Sequence, residues 1–411
     1  MHAAFVLPRF YPYRGGYENS MLAIARCLVA RGHRASVFTT VADDLESLWL
    51  PGFKTYAAEE FAIDGVTVRR FPVCYRKWRR RATRLVGTLP NWRWKVQFWR
   101  PGFRVPGLEA ALRSCDADVF HIGPLPYNNL MYAGLQASEC RQVPVVVTPC
   151  LHLGETGNDA VLRHYLQQHQ VELLRRCDRV LCMTDMERDL LQHKGIAPDR
   201  LATIGHGTDL QQATGGDGEQ VRRRYAIDGP IVLHLGAKAF EKGSITLVEA
   251  MKLLWAKGSP AWLLMAGASL SEFDEYLRSQ PERCTKLVNL PPFTDEDKRD
   301  LLAAATVVAQ PSRVESLGLI TMEACANAKP VVAADIEVSR KLLAEAGAGL
   351  VTPFGDSSLL ATAIERLLQD QDLCRAMGRR GTVLAQAFDG PELFRRNAEE
   401  LEKVAAAGTR S

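Results

Sequence analysis

The chain has 411 residues, 47% of them hydrophobic and 24% charged, with 51 Lys and Arg against 47 Asp and Glu for a net charge of +4. That composition excludes a disordered chain and supplies two or three domain cores at ~150 residues each. A net charge this small does not call for a nucleic-acid partner, and none is expected. No run of ~18 apolar residues occurs, so no membrane-spanning helix is expected. The ten Cys never fall as Cys-x2-Cys. They read as buried thiols of a cytoplasmic protein rather than as a disulfide or zinc framework.

In chain order, the first nine residues lack the basic start and the length of apolar run that a signal peptide needs, and 3–8 reads as a buried strand. Short Val-, Ile- and Phe-rich runs over 35–40, 66–73, 118–122, 144–149, 179–183 and 201–204 read as further strands. Amphipathic helices are expected between them over 20–31, 125–137 and 159–176. This alternation is that of βαβ units on a parallel sheet. The rhythm breaks over 210–229, a polar, Gly-rich stretch that suits a linker. It restarts with strands expected over 231–235, 262–266, 286–290, 307–310 and 330–334. Helices are expected over 244–257, 295–304, 317–327, 357–368 and 390–407.

The expected fold is therefore α/β, with two Rossmann-like, doubly wound parallel sheets. The first domain spans 1–209 with an insertion over 65–108, the linker 210–229, and the second domain 230–389. Two such domains facing across a cleft bind ligands at the carboxyl ends of their strands. No Gly-x-Gly-x-x-Gly follows a strand and no Gly-x4-Gly-Lys-Ser/Thr occurs, which argues against NAD-linked oxidoreduction and P-loop phosphoryl transfer.

The strongest local signal is Pro311-Ser312-Arg313-Val314-Glu315-Ser316-Leu317-Gly318-Leu319, followed by Ile320-Thr321-Met322-Glu323-Ala324. A strand ends at Pro311 and a helix is expected to begin near Leu317. Unpaired N–H groups and a positive dipole in its first turn make an anion site suited to a diphosphate. Glu323 lies eight residues after Glu315, a little over two turns, so both carboxylates can serve one site. Carboxylates beside an anion site suit hydroxyl groups, as on ribose and sugar. The bland alternative is a dipole-complementing Glu followed by a solvated one.

This segment resembles the Glu-x7-Glu motif of family-4 retaining glycosyltransferases of the GT-B fold. Leu317 stands where Phe is common in that family, and Lys329-Pro330-Val331-Val332-Ala333 follows with Ala328 in place of a frequent Gly. The resemblance runs over most of the chain. Tyr11–Glu18 and Ala30–His33 resemble the family's opening loop and first helix. Cys177–Val180, Asp185–Glu187 and Gly205–Asp209 resemble the end of its first domain, and Gly236–Gly243 resembles its phosphate-binding loop. In that fold a final segment, here 390–411, packs back on the first domain.

Residue by residue, the resemblance implies the following roles. Glu323 holds ribose hydroxyls of a nucleotide-sugar, UDP- or GDP-linked. Glu315 contacts the donor sugar, and Gly318 and Leu319 offer N–H groups to the diphosphate. Lys242 neutralises the leaving phosphate, a form of charge stabilisation that is often a large catalytic contribution. Gly15 and Gly16 contact a ligand closely through a backbone free of side chains and able to take positive φ. His152, after a strand, positions the sugar, and Phe293 lies near the base. The family usually carries Arg five residues before the Lys; here Ala237 stands there, and Lys238 or Arg313 is the expected replacement, without the Arg fork in the case of Lys. Retaining transfer of this kind names no covalent nucleophile, and no cofactor is expected. Metal is not expected either, since no Asp-x-Asp motif reads as a divalent-cation holder and no His/Cys cluster as a zinc site.

Residues 65–108 contain no Asp or Glu but twelve Lys and Arg and four of the seven Trp. Arg79, Arg80, Arg81, Trp92 and Trp94 lie at their centre. Cations interleaved with Trp suit an anionic membrane surface, a lipid-linked, glycan or small-molecule acceptor, or a solvated loop. The net +4 is thus the balance between one strongly basic segment and an acidic remainder. The expected activity is transfer of a sugar from a nucleotide-sugar by a cytoplasmic enzyme, possible as a peripheral protein on the inner face of the membrane. The rivals are a non-catalytic sugar-nucleotide binder, which Ala237 favours, a sugar-nucleotide epimerase, and a membrane-binding module.

Overall fold

The structure, a computed structural model, describes residues 1–13, 15–44, 46–75, 103–280 and 284–408. The chain forms two compact units. One comprises Met1–Leu151, Leu162–His206 and Glu392–Ser411, the other His152–Val161 and Gly207–Pro391.

The strands of the first unit are β1 (His2–Val6), β2 (Arg34–Thr40), β3 (Glu60–Ile63), β4 (Val66–Phe71), β5 (Cys74–Tyr75), β6 (Phe103–Arg104), β7 (Val119–Ile122), β8 (Val145–Val147), β9 (Arg179–Cys182) and β10 (Leu201–Thr203). Among the described residues they form a sheet in the order β10-β9-β8-β7-β1-β2-β4-β3, plus a small β5-β6 ladder. The sheet is parallel except for the β3–β4 edge pair. Every residue of β1 is buried, as befits a central strand covered on both faces. Ala398 and Leu401 of the C-terminal helix Gly390–Ala406 join this unit's core, and Glu402 of the same helix takes two hydrogen bonds from Arg31 at 2.6 and 2.7 Å.

The second unit holds β11 (Ile231–Leu235), β12 (Trp262–Ala266), β13 (Leu287–Leu290), β14 (Val307–Gln310), β15 (Val331–Ala334) and β16 (Gly349–Thr352), in the order β13-β12-β11-β14-β15-β16. All neighbouring pairs are parallel. Alternate residues of β11 face opposite ways: Ile231, Leu233 and Leu235 enter one core and Val232 the other. Chain order reverses between β11 and β14, so the helices that follow those two strands pack in different cores, Leu247 and Met251 in one and Ala324 and Cys325 in the other, and the strand ends between them are the position where open α/β sheets bind ligands. The same reversal lies between β1 and β7 in the first unit.

Two expected elements differ. The stretch 210–229 contains helices Leu210–Ala213 and Gly218–Tyr225, and Val221 and Ile227 enter the second unit's core. Asp209, just before the stretch, and Asp217 within it cap these helices, accepting from the N–H groups of Gln212 and Gln220. The helix expected over 159–176 is two, Ala160–Tyr165 and Gln168–Arg176, because Gln167 and Gln170 form a capping box that starts the second.

Candidate active site

In the second unit, the loop after β11 ends at Gly243, which has φ +70° and caps helix Ser244–Ala256. A Cβ there would lie 2.2 Å from the Pro311 carbonyl oxygen, so only glycine lets this loop touch the loop after β14. The Arg313 N–H donates to the Glu241 carbonyl at 3.1 Å and joins the two loops again. Beneath them, buried His234 sits between the Ala309 carbonyl at 2.9 Å and the Ser244 hydroxyl at 3.1 Å. Burial lowers its pKa to about 4, so the ring is a neutral strut.

These loops bring Lys242 to Glu315. The Lys242 ammonium donates to Glu315 Oε1 at 2.6 Å and to the Val314 carbonyl at 3.2 Å. Burial pushes the Glu315 carboxyl up, but the Lys242 charge and hydrogen bond, the His152 charge and a Ser312 hydrogen bond outweigh it and hold the pKa below the usual value. His152 belongs to this unit, and its half-buried ring lies near enough to Glu315 to act on its charge. Its segment is anchored by the Glu155–Ile336 bridge and by the Glu337 N–H donating to the Gly154 carbonyl at 3.0 Å.

Gly318, at φ +83°, caps helix Leu319–Ala326. Its carbonyl already accepts from Thr321 and Met322. The N–H groups that open the helix have no carbonyl within it, a geometry that suits an anion. Glu323 lies on this helix, 4% exposed. Its Oε1 accepts from the Lys298 ammonium at 2.7 Å and from the Thr208 hydroxyl at 2.6 Å, whereas Oε2 is buried without a hydrogen-bond partner among the described residues. Thr208 and Lys298 are candidate-site residues beyond those to which the sequence motifs give a role. Thr208 lies in the Gly205–Asp209 motif and could have been found there. Lys298 belongs to a different βα unit and gives no local signal.

Several expected roles change. Lys238 does not reach toward an anion: its ammonium is buried and donates to Asn289 Oδ1 and the Leu290 carbonyl, both at 2.6 Å. Burial lowers its pKa to about 8. Arg313 spends its Nε and Nη2 on the Glu241 carboxylate, which raises its pKa and balances its charge locally. Phe293, just beyond β13, packs partly buried against the core. In the first unit, Gly15 caps helix Gly16–Ala30 with φ −97°, and neither Gly15 nor Gly16 uses positive φ. A Cβ at Gly15 would lie 2.1 Å from Glu18 Oε2, so this glycine makes room for buried Glu18, which pairs with Arg9 at 3.3 Å.

Arg79, Arg80, Arg81, Trp92 and Trp94 lie outside the described residues. Of the other cations in 65–108, Arg70 is structural: it is buried, pairs with Glu59 at 2.6 Å and donates to the Tyr11 carbonyl at 2.8 Å. Three Asp-x-Asp spacings do occur, at Asp116/Asp118, Asp295/Asp297 and Asp370/Asp372. Asp118, Asp297 and Asp370 accept from the N–H groups of His2, Thr294 and Leu373. His2, Cys115 and Asp116 place ligand atoms within 4.8 Å of one another. There the Asp116 carboxylate takes His2 Nδ1 at 2.8 Å and Arg34 at 2.7 Å. Among the described residues no helix is long and apolar enough to cross a membrane.

Glu187 is a further buried carboxylate in the first unit. It accepts from the N–H groups of Leu151 at 2.9 Å and Met183 at 2.6 Å. Burial pushes its pKa up to about 7 against those two bonds.

Residues 15–207 match the family model for a glycosyl transferase 4-like domain, and 218–383 match that for glycosyl transferases group 1. The chain is 29% identical to the alpha-D-kanosaminyltransferase of Streptomyces kanamyceticus over 54% of its own length and 58% of that protein. It is 24% identical to the phosphatidyl-myo-inositol mannosyltransferase of Mycolicibacterium smegmatis over 99% and 95% of the two chains. The matches to the first curated relatives span about half to three-fifths of those proteins. Among solved structures, that of Anabaena HepE in complex with UDP-glucose is similar with a TM-score of 0.72 and 19% identity over 98% of this chain and 99% of that one. The fold is GT-B.

Proposed function

On the premise that 15–207 match a glycosyl transferase 4-like domain, 218–383 match glycosyl transferases group 1 and the fold is GT-B, we propose that this chain is a retaining glycosyltransferase of the family-4 type. It transfers a sugar from a UDP- or GDP-linked donor to an acceptor hydroxyl. The observation that carries the reading is Glu323. A buried carboxylate with one oxygen fixed by Lys298 and Thr208 and the other without a partner among the described residues is an acceptor suited to a hydroxyl donor. The ribose of a nucleotide supplies that donor beside a helix N-terminus able to take the diphosphate.

In this reading the first-turn N–H groups of the helix starting at Leu319 hold the diphosphate, and Lys242 stabilises the charge that grows as the anomeric carbon–oxygen bond breaks. Glu315 orients the donor sugar and His152 positions it. The acceptor oxygen bonds to the anomeric carbon on the face the diphosphate leaves, and a phosphate oxygen takes its proton. No covalent nucleophile, metal or cofactor has a step. The relatives named for inositol-type substrates, with the basic Trp-rich sequence of 65–108, favour a polyol or lipid-linked glycan acceptor at the inner face of a membrane.

Calorimetry with UDP and GDP tests the donor site. One of the two should bind the wild-type chain and bind Glu323→Gln at least tenfold more weakly; equal binding by both proteins would remove Glu323 from the site. Ala237, with Lys238 turned to Asn289, favours a second reading in which the donor binds without turnover. Donor consumption in the presence of an acceptor panel separates the two.

A further inference from the structure

The aromatic and cationic groups around the loop that carries Lys242 are not accounted for by diphosphate or ribose binding. Phe240 is 44% exposed. Its ring meets the Phe354 ring edge-on, with centroids 5.6 Å apart and planes at 89°. The Arg313 guanidinium lies 4.9 Å from the Phe354 centroid and 5.8 Å from that of Phe240. The cluster is held from below. The Phe240 N–H donates to Glu272 Oε1 at 2.6 Å, and Glu241 grips the Nε and Nη2 edge of Arg313. Phe240 stands two residues before Lys242, and Arg313 two before Glu315.

We infer that Phe240, Phe354 and Arg313 form a stacking subsite for a pyranose ring beside the Lys242–Glu315 pair. The inference rests on the transferase reading above and adds to it the group that recognises the sugar. A pyranose has an apolar C–H face edged by hydroxyls. An exposed aromatic ring offers the matching apolar surface, and the Nη1 edge of Arg313, which the pair with Glu241 does not use, offers N–H donors to a hydroxyl. An anion fits less well, because Glu241 already balances the guanidinium and places its own negative charge there. Keeping Phe240 in water forfeits burial of an aromatic side chain, a cost that a sugar laid on the ring recovers. The ring belongs either to the donor or to the acceptor, and the two sources are separable.

The test uses the full chain, Phe240→Ala and Phe240→Trp. Dissociation constants are measured for UDP, UDP-glucose, GDP and GDP-mannose. Saturation-transfer NMR is recorded with methyl α-D-glucopyranoside and methyl α-D-mannopyranoside in the presence of the nucleotide that binds. A donor ring predicts that Phe240→Ala weakens the sugar-nucleotide about fivefold and leaves the free nucleotide unchanged. An acceptor ring predicts loss of saturation transfer to the glycoside. In either case Phe240→Trp keeps the wild-type behaviour. The inference is overturned if Phe240→Ala changes neither reading, or if it weakens the free nucleotide as much as the sugar-nucleotide, which would assign the ring to the base. A wild-type chain that binds neither nucleotide would instead defeat the transferase reading, and this inference with it.

Discussion

Replacing Lys242 by Ala separates catalysis from stability. The ion pair it forms with Glu315 is short, 2.6 Å, but the two side chains are 31% and 25% exposed. Solvent screening therefore limits its contribution to folding to about 1 kcal/mol. In the role proposed for it, facing a departing diphosphate, the same ammonium would contribute about 3–4 kcal/mol to the transition state, or roughly 10²–10³ in rate. Lys242→Ala should lower turnover at saturating donor and acceptor by that factor while the free energy of unfolding in urea falls by about 1 kcal/mol. A second signature follows from Glu315, whose carboxyl is held low by the Lys242 charge against burial. Without Lys242 burial dominates, the carboxyl moves up, and the acid limb of the pH–rate profile moves to higher pH. Unchanged turnover, or a rate loss no larger than the loss of folded protein, would refute the reasoning.

Gly243→Ala adds a Cβ 2.2 Å from the Pro311 carbonyl at φ +70°, so it should cost about 2–3 kcal/mol in unfolding free energy and disturb Lys242 with it. Urea melts and turnover measured together check this. Lys298→Met leaves the Glu323 carboxylate buried without its cation. It should cost about 3 kcal/mol in unfolding free energy by urea melts and weaken nucleotide binding by calorimetry. Glu187 gives a pH dependence. Its folded pKa of about 7 lies above the ordinary 4.5, so its contribution to stability is full below about pH 4.5 and is lost as pH rises through 7. The shift corresponds to about 3 kcal/mol. Urea melts at pH 5 and pH 8 should show this difference in the wild type and its absence in Glu187→Ala.

The parallel-sheet architecture was legible because strand periodicity and helical periodicity alternate, and β11, β12 and β14 fall where the apolar runs lie. The two loops of the candidate site were legible too, since a glycine-ended loop and a helix start after a strand are local signals. What was not legible is where long side chains go. Lys238 looks like a stand-in for a missing Arg because it lies one residue from Ala237. Its direction is set by Asn289, 51 residues on, across the β12–β13 edge. Arg313 looks like a free cation, and Glu241, 72 residues earlier, balances it. The helices within 210–229 were hidden for a related reason: Asp209, just before it, and Asp217 are as polar in a helix cap as in a loop, so composition alone does not tell the two apart.

The account's central claim is retaining transfer from a nucleotide-sugar, and the configuration of the product tests it most directly. The full chain is incubated with α-linked UDP- and GDP-hexoses and a panel of polyol, glycan and lipid-linked acceptors, and the anomeric proton of any new glycoside is read by NMR. The account predicts an α-glycoside formed as the nucleoside diphosphate is released, and its loss in Lys242→Ala. A β-glycoside, or a donor that binds and is never consumed with any acceptor, would contradict it.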